Sequence, residues 1–409
     1  MTREDCAALD AADPLAHCRA HFLLPDGVIY LDGNSLGPLP REVPGRLDEI
    51  VRTQWGRDLI SSWNTHDWIG APLRVGGKIA RLVGAAVNEV LAADTVSINI
   101  FKLICAALAM RPGRRVIVSE SGNFPTDLYM MQGLRGLIPD IELRIVARDE
   151  VTAALDDTVA LLLLSHVHYK TSERWNMTEL THAAHAVGAL TLWDLSHSTG
   201  AVRLALNAAG ADFAVGCGYK FLNGGPGAPG FLFVAARHQG EVQNPLSGWL
   251  GHAAPFDFKD EYQPAPGLRR MMCSSPSIIA LGTLEAALQA WQDIDPTAIE
   301  HKSGRLGDVF IATVEEACAG YGLTLAVPRE ASRRGAHVAF AHQDGYRIMQ
   351  ALISRGVIGD FRAPDLLRFG LAPLTTRFVD AFDAAWVLAY ILGNRTYDQP
   401  QFAVRALVT

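Results

Sequence analysis

The sequence is poor in features that would mark several classes of protein. Its six cysteines are spread over 409 residues without a Cys-x-x-Cys pair, so neither a zinc site nor a redox motif is indicated. It has no block of concentrated lysine and arginine, and the formal net charge is -7. Nucleic acids and acidic membranes are bound through such blocks, so a polyanionic partner is not expected.

Long apolar runs and targeting signals are also missing. The apolar run over residues 159–164 is far too short to span a bilayer. The first residues, Met-Thr-Arg-Glu-Asp, lack the cationic and then apolar layout of a secretory signal. We therefore expect a cytoplasmic protein that binds neither membrane nor nucleic acid.

What is present indicates a large globular chain with two domains. The length exceeds that at which one core usually keeps growing, and 49% of the residues are hydrophobic against 19% charged. Short apolar runs alternate with helical segments and predict a mostly parallel sheet in an α/β domain, to which the family resemblance given below assigns seven strands. These runs cover residues 116–118, 143–146, 159–164, 190–193 and 230–234.

From about residue 276 the pattern changes to long helices and a few strand-like segments, which indicates a smaller α+β domain. The helices are predicted over residues 277–292, 304–317, 346–355 and 379–392. We place the boundaries at 1–44 for an N-terminal segment that packs on the small domain, 45–275 for the large domain and 276–409 for the small domain.

The sharpest chemical signal is the pair Asp194 and Lys220, each close to the end of a buried strand. Ligands of such sheets bind outside the carboxyl ends of the strands, so both side chains should enter one crevice. A pyridoxal phosphate (PLP) enzyme needs a lysine for a Schiff base with the cofactor and a carboxylate that keeps the pyridine nitrogen protonated. Either residue alone reads equally well as a helix-capping aspartate or a surface lysine. Their joint setting favours the PLP reading.

That setting consists of residues 193–200 (WDLSHSTG) and 216–227 (GCGYKFLNGGPG). Together with residues 31–37 (LDGNSLG) and 123–127 (NFPTD), these segments resemble kynureninase in the same order over nearly the whole chain. Kynureninases are homodimeric fold-type-I PLP enzymes that hydrolyse L-kynurenine to anthranilate and L-alanine. The resemblance implies that reaction, in tryptophan degradation, with an active site completed across the dimer interface.

The resemblance also implies roles for individual residues. Lys220 forms the Schiff base, Asp194 pairs with the ring nitrogen, and Tyr219 binds phosphate and helps to move protons. Ser97 is expected to cap a helix and to bind the phosphate. The full set of implied cofactor residues is Val96, Ser97, Phe124, Asp127, Ser165, Asp194, His197, Tyr219 and Lys220, with Trp249 and Ser275 reaching the cofactor from the neighbouring subunit.

On the substrate side, the resemblance places Arg368 on the α-carboxylate, since a planar guanidinium pairs with both oxygens. Asn34 and Ser35 are expected to line the substrate. Enzymes of animals that act on 3-hydroxykynurenine carry His and Asn at positions that align with Trp63 and Ser275. This departure favours plain kynurenine, with slower action on the 3-hydroxy form, although Trp63 also reads as an ordinary core residue.

Three other readings remain. A cysteine desulfurase or selenocysteine lyase shares the fold, but it needs a nucleophilic cysteine on a small-domain loop and usually a histidine before the lysine. Here Tyr219 precedes Lys220, and residues 328–337 contain no cysteine. A PLP-fold protein retained only for binding is the second. A hydrolytic metal site is the third, but the histidine pairs at 166/168 and 182/185 lack the His-Glu-x-x-His pattern, so no metal is predicted.

Overall fold

The structure, a computed structural model, describes residues 1–405 of the chain. Eleven α-helices lie within them. In chain order they are α1 Arg3–Ala11, α2 Glu42–Asp48, α3 Ser62–Thr65, α4 Ala71–Val83, α5 Val96–Met110, α6 Pro125–Arg135, α7 Met177–Ala186, α8 Ile278–Ala287, α9 Pro296–Ala317, α10 Gly345–Ile353 and α11 Phe378–Gly393. None of the helices in this part of the chain has both the length and the apolar character that a bilayer crossing requires.

The same residues contain fifteen strands. They are β1 Phe22–Leu23, β2 Ile29–Tyr30, β3 Leu39–Pro40, β4 Val90–Ala92, β5 Val116–Glu120, β6 Glu142–Val146, β7 Val159–Ser165, β8 Leu190–Asp194, β9 Phe213–Cys217, β10 Gly230–Val234, β11 Thr324–Leu325, β12 His337–Ala341, β13 Val357–Ile358, β14 Asp360–Arg362 and β15 Leu366–Gly370.

Seven of these strands form the central sheet, in the order β4-β10-β9-β8-β7-β5-β6. The strands from β9 to β6 are mutually parallel, and β10 runs antiparallel to both of its neighbours. Alternate side chains of β7 enter two separate buried clusters: Leu162 and Leu164 on one face, Leu161 and Leu163 on the other. The predicted mostly parallel, seven-stranded α/β sheet is confirmed.

Two strands did not stand out in the sequence, and the reasons are local. β4 has only three residues, and β9 carries the small residues Ala214 and Gly216. A Cβ on Gly216 would lie 2.4 Å from the ring of Phe231 on β10, so this small residue is what allows the two strands to pair.

The C-terminal part is the smaller α+β unit that the sequence predicted, with a four-stranded sheet β11-β12-β15-β14. The predicted helix over 277–292 is too long, because α8 ends at Ala287 and a 3₁₀ turn follows over Leu288–Trp291. The helix predicted from residue 304 begins earlier, at Pro296, where the side chain of Asp295 accepts a hydrogen bond from the N–H of Thr297 at 2.9 Å.

The N-terminal segment contacts this unit through both a helix and a strand. Cys6 on α1 belongs to the same buried cluster as the α9 and α11 side chains, and β2 pairs in parallel with β13. The predicted boundaries at 44 and 275 stay predictions. The last four residues of the third predicted segment, 406–409, lie outside the described residues.

A buried carboxylate ties the amino-terminal end of β9 to its neighbours. Asp212 accepts hydrogen bonds from the N–H of Thr191 and from Arg237, both at 2.7–2.8 Å, and contacts the rings of His185 and His238 at 2.8 Å. Burial raises the pKa of Asp212, but the hydrogen bonds from the two histidines outweigh it and bring the pKa below its ordinary value. A lowered pKa means that this stabilisation is present near neutrality and is lost as the pH falls below about 4.

We therefore expect Asp212→Ala to lower the free energy of unfolding by about 3 kcal/mol, because four groups, among them the buried N–H of Thr191, lose a buried partner. Urea denaturation at pH 7 measures the change. Asp156→Ala is the control, since that carboxylate is about half exposed in its pair with Arg144 and its removal should lower the free energy of unfolding much less. Equal losses in the two variants would contradict the role given to Asp212.

Candidate active site

A cavity of about 580 Å³ opens at the carboxyl ends of β7, β8 and β9. This is the edge at which parallel sheets bind their ligands. Nine of the predicted cofactor residues line it: Val96, Ser97, Phe124, Asp127, Ser165, Asp194, His197, Tyr219 and Lys220. The structure thus brings together residues from five separate sequence segments, including the pair Asp194 and Lys220.

Lys220 lies just after β9, and its side chain points into buried surroundings. The residue is only 8% exposed, and its Nζ lies 2.9 Å from Nε2 of His197 and 5.7 Å from the centre of the Phe124 ring. Burial lowers the pKa of His197 well below its ordinary value, and the charge of Lys220 lowers it further. A neutral His197 therefore accepts a hydrogen bond from the lysine amine through Nε2.

The loop that carries Lys220 is closed by the N-terminal motif of residues 31–37. The N–H of Gly37 donates to the carbonyl of Tyr219 at 2.9 Å. A Cβ on Gly37 would lie 2.2 Å from the carbonyl oxygen of Lys220, so only glycine permits this approach. The motif is therefore part of the wall behind the lysine.

Two carboxyl groups meet at the floor of the cavity. Asp127 and Asp194 are both buried and lie close enough to share a proton. Burial and the charge of Asp194 raise the pKa of Asp127 well above its ordinary value. Burial also raises the pKa of Asp194, but its hydrogen bonds with Ser196 and the charge of Lys220 oppose that rise. The shared proton therefore resides on Asp127, and Asp194 keeps its negative charge.

The start of α5 has the features of an anion-binding site. Thr95 caps this helix, since its hydroxyl accepts from the N–H of Ile98 at 3.3 Å, so the prediction of Ser97 as the N-cap was wrong. Ser97 and Val96 are the first two helical residues, whose N–H groups have no partner in the part of the chain that the structure describes. Free N–H groups and the helix dipole favour a phosphate there. A Cβ on Gly230 would lie 3.0 Å from the nitrogen of Val96 and would crowd this point.

The predicted carboxylate clamp, Arg368, does not line the cavity and is already engaged by other residues. It is 2% exposed, its Nε donates to Asp360 at 2.8 Å, and its Nη1 donates to the carbonyl of Tyr169 at 2.6 Å. Its Nη2 donates to Asp360 and, at 3.1 Å, to the hydroxyl of Ser35. Asn34 is buried beside Gly370, and neither end of its amide has a partner among residues 1–405.

Six predicted residues do not line the cavity: Arg368, Asn34 and Ser35, described above, and Trp63, Trp249 and Ser275. Trp63 packs edge-on against Trp68, with ring centres 5.6 Å apart. Trp249 is 39% exposed and packs against Phe256. Ser275 lines a separate cavity of about 220 Å³. The predicted roles of Trp249 and Ser275 lie in a neighbouring subunit, so one chain alone does not test them.

The sequence missed two groups of residues. His337, fully buried at the start of β12, lies with its ring centre 5.5 Å from that of His197. Asp360 and Arg362 form β14 and meet Arg368 across the antiparallel pair β14–β15. Asp360 and Arg362 lie only a few residues before Arg368 in the sequence. This short spacing is the signal that could have identified the second group.

The residues present fit PLP. A buried lysine amine, a buried carboxylate and a helix start with free N–H groups share one cavity. Two buried polar atoms of the residues that line the cavity have no hydrogen-bond partner among residues 1–405: Nδ1 of His197 and Oδ1 of Asp127. Unsatisfied buried polar atoms are costly, so their position in this cavity is evidence for a polar ligand. The same described residues contain no group of three or more His, Cys, Asp or Glu side chains placed to hold a metal ion.

Comparison with known proteins gives two kinds of match. The family of the kynureninase C-terminal domain matches residues 299–388. The chain is 49% identical over 414 residues to the kynureninase of Burkholderia mallei (strain SAVP1), with 100% of both chains covered. It is 46% identical over 414 residues to that of Pseudomonas fluorescens, again with complete coverage of both.

Solved structures show the fold. A cysteine desulfurase from Thermococcus onnurineus NA1 matches with a TM-score of 0.76 at 16% identity, over 93% of this chain and 98% of that chain. A cystine C–S lyase in complex with cysteine persulfide matches with a TM-score of 0.74 at 16% identity, over 89% and 98%. The chain therefore has the predicted fold-type-I architecture, and identity this low carries no statement about substrate.

Proposed function

Because the chain belongs to the kynureninase family, we propose that it hydrolyses L-kynurenine to anthranilate and L-alanine in the degradation of tryptophan. The family consists of PLP-dependent hydrolases of carbon–carbon bonds in ketonic substrates. The observation that carries the proposal is the single cavity in which Lys220, Asp194 and the start of α5 meet. The cytoplasmic location expected from the sequence is part of the same proposal.

Each wall of the cavity has a part in holding the cofactor. Lys220 would hold it covalently, and the N–H groups of Val96 and Ser97 with the hydroxyl of Tyr219 would receive the phosphate. Phe124, whose ring centre is 5.7 Å from the lysine amine, would cover one ring face. The negative charge on Asp194 would hold a proton on the ring nitrogen. When bound, PLP supplies an electron-poor ring that accepts negative charge from the substrate α-carbon.

Proton transfer would fall to Lys220. Its amine would act as the base that removes the proton from the substrate α-carbon, and His197, 2.9 Å away, would hold the amine in position. Water then adds to the γ-ketone, the bond between the β-carbon and the γ-carbon breaks, and anthranilate departs. Protonation of the remaining three-carbon unit yields alanine, so that one water is consumed for each kynurenine.

The developing charge on the hydrated ketone needs hydrogen-bond donors. The hydroxyl groups of Tyr219 and Ser35 are the candidates. Burial raises the pKa of Tyr219 above its ordinary value, so it stays protonated and able to donate. The Ser35 hydroxyl lies 2.9 Å from Asp360, so it must turn from that carboxylate in order to donate to substrate.

A homodimer with shared active sites is the second part of the proposal. Trp249, Phe256 and Phe258 form an aromatic cluster whose members are 39%, 58% and 76% exposed. Such exposed apolar groups mark interfaces. In the dimer, Trp249 and the segment that carries Ser275 would reach the cofactor of the partner.

Slower action on 3-hydroxykynurenine is the third part. It rests on Trp63 and Ser275, neither of which lines the cavity in one chain. If they act from the partner subunit, an indole at this position leaves less room for the ring hydroxyl and offers it no charged partner.

Steady-state kinetics on both substrates tests the proposal. We expect anthranilate to be released from L-kynurenine, with kcat/KM about tenfold above that for 3-hydroxykynurenine, the size of effect that one added group in a pocket gives. Fluorescence of anthranilate follows the reaction. Sulfide release from L-cysteine, assayed in parallel, should be absent; sulfide without anthranilate would overturn the proposal in favour of a desulfurase.

A further inference from the structure

The residue expected to bind the substrate carboxylate has almost no donors left. An arginine has five N–H groups. In Arg368 the Nε–H and one Nη2–H go to Asp360, the other Nη2–H to Ser35, and one Nη1–H to the carbonyl of Tyr169. One Nη1–H remains. Because a carboxylate has two oxygens that each accept hydrogen bonds, Arg368 in this arrangement cannot bind it alone.

Its neighbour Arg362 has donors to spare. Only its Nη2 is engaged, at 2.7 Å from Asp360 and 3.4 Å from the hydroxyl of Ser35. Its Nε is buried without a partner among residues 1–405, although the side chain as a whole is 40% exposed. A buried cationic N–H without an acceptor is costly, so this atom calls for an anion.

The charges around the two arginines leave a positive excess. Burial raises the pKa of Asp360, but hydrogen bonding to Arg368 and the charges of both arginines bring it below its ordinary value, so it is ionised. Burial and the charge of Asp360 raise the pKa of Asp32 to about 7, so this second carboxyl is only partly ionised near neutrality. Two full positive charges therefore face less than two negative ones.

This cluster lies beside the cofactor cavity. The charges of Arg368 and Arg362 both contribute to lowering the pKa of His197, which contacts Lys220 at 2.9 Å. Ser35 joins the arginines to the cavity, because the next residue, Leu36, lines it.

We propose that Arg362 is the second cation of the substrate-carboxylate site, and this assignment rests on the proposed function. Arg362 donates its free Nε–H to one oxygen of the α-carboxylate of kynurenine. Arg368, oriented by Asp360, donates its remaining Nη1–H to the other. Selectivity for an amino acid over the corresponding amine then depends on the pair of arginines rather than on Arg368 alone.

The test compares a substrate with its decarboxylated counterpart. In the full-length holoenzyme, Arg362→Gln should raise KM for L-kynurenine about 10- to 100-fold, the range for a lost charge-assisted pair, with kcat within about threefold. The inhibition constant of kynuramine, which lacks the carboxylate, should stay within about twofold. Arg362→Lys should recover part of the loss, because it keeps the charge without the planar fork.

Arg347→Gln is the matched control. Its side chain is 39% exposed and pairs with Asp398 at 3.0 Å rather than with Asp360, so none of these constants should change. An unchanged KM in Arg362→Gln, or an equal weakening of kynurenine and kynuramine, would overturn the assignment. If the glutamine variant does not fold, the same comparison is made with the lysine variant. There KM for L-kynurenine should rise about threefold or more, while the inhibition constant of kynuramine stays unchanged.

Binding of L-alanine, followed through the absorbance of the cofactor, separates this inference from the proposed function. Its dissociation constant should rise in Arg362→Gln in parallel with KM. A wild-type protein that releases no anthranilate but needs Arg362 to bind alanine would refute the kynurenine reaction and leave the carboxylate site standing. Alanine binding that does not depend on Arg362 would refute the carboxylate site.

Discussion

Replacement of Lys220 by alanine is expected to give a folded protein that lacks the visible absorbance of lysine-bound cofactor and turns over kynurenine at least about 10³-fold more slowly. The loss combines the covalent anchor with the base at the α-carbon, and acid–base catalysis alone contributes about 10²–10⁴-fold. The anthranilate assay measures turnover, and absorbance after gel filtration measures retained cofactor. Added methylamine should restore a small part of the activity, since it replaces the missing amine but not its position.

The control is Lys302, another buried lysine, whose Nζ lies 2.6 Å from Asp13 and away from the cavity. Lys302→Ala should lower the midpoint of thermal unfolding, since it leaves Asp13 without its buried partner. It should keep the cofactor absorbance and turnover per folded molecule within about twofold. Normal turnover in Lys220→Ala would refute the role given to this lysine.

Asp194→Asn is expected to reduce kcat by about 10²–10⁴-fold, because an amide cannot hold a proton on the cofactor ring nitrogen and the ring then accepts charge poorly. The substitution changes little in shape. The oxygen of asparagine can still accept from the N–H of Ser196, which lies 2.8 Å from Asp194. A loss of this size with a normal unfolding midpoint would therefore be electronic in origin.

The adjacent carboxyl provides a matched comparison. If the shared proton resides on Asp127, then Asp127→Asn replaces one donor with another and should cost less than about tenfold in kcat. Buried isosteric changes at two touching residues thus differ in effect by an order of magnitude or more. The reverse ranking, with Asp127→Asn the more damaging, would mean that Asp127 carries the charge.

Much of this site was visible in the sequence because its signals are local. A strand that ends at Asp194, a lysine beside glycines at 220 and a run of buried apolar residues each depend only on neighbouring positions. The same locality explains the errors. Ser97 and Thr95 are both capable N-caps two residues apart, and only the backbone shows that the helix starts at Val96.

Contacts between distant segments could not be read in this way. Gly37 meets Tyr219 across 182 positions of chain, and Tyr169 meets Arg368 across 199. No periodicity or spacing in the sequence indicates that the two residues of either pair are in contact. Each depends on how the N-terminal loop, the large sheet and the small domain pack together.

The sequence by itself thus determined three things: the identity of the reactive groups, the apolar runs that form most strands of the large sheet, and the likeness to kynureninases. Residue type and local pattern suffice for each of them. Tertiary structure alone decided that Asp127 touches Asp194, that Asp360 occupies Arg368, and that Arg362 retains free donors. The reason is physical: protonation and hydrogen-bond saturation depend on which groups are buried against each other, and burial is a property of the packed chain.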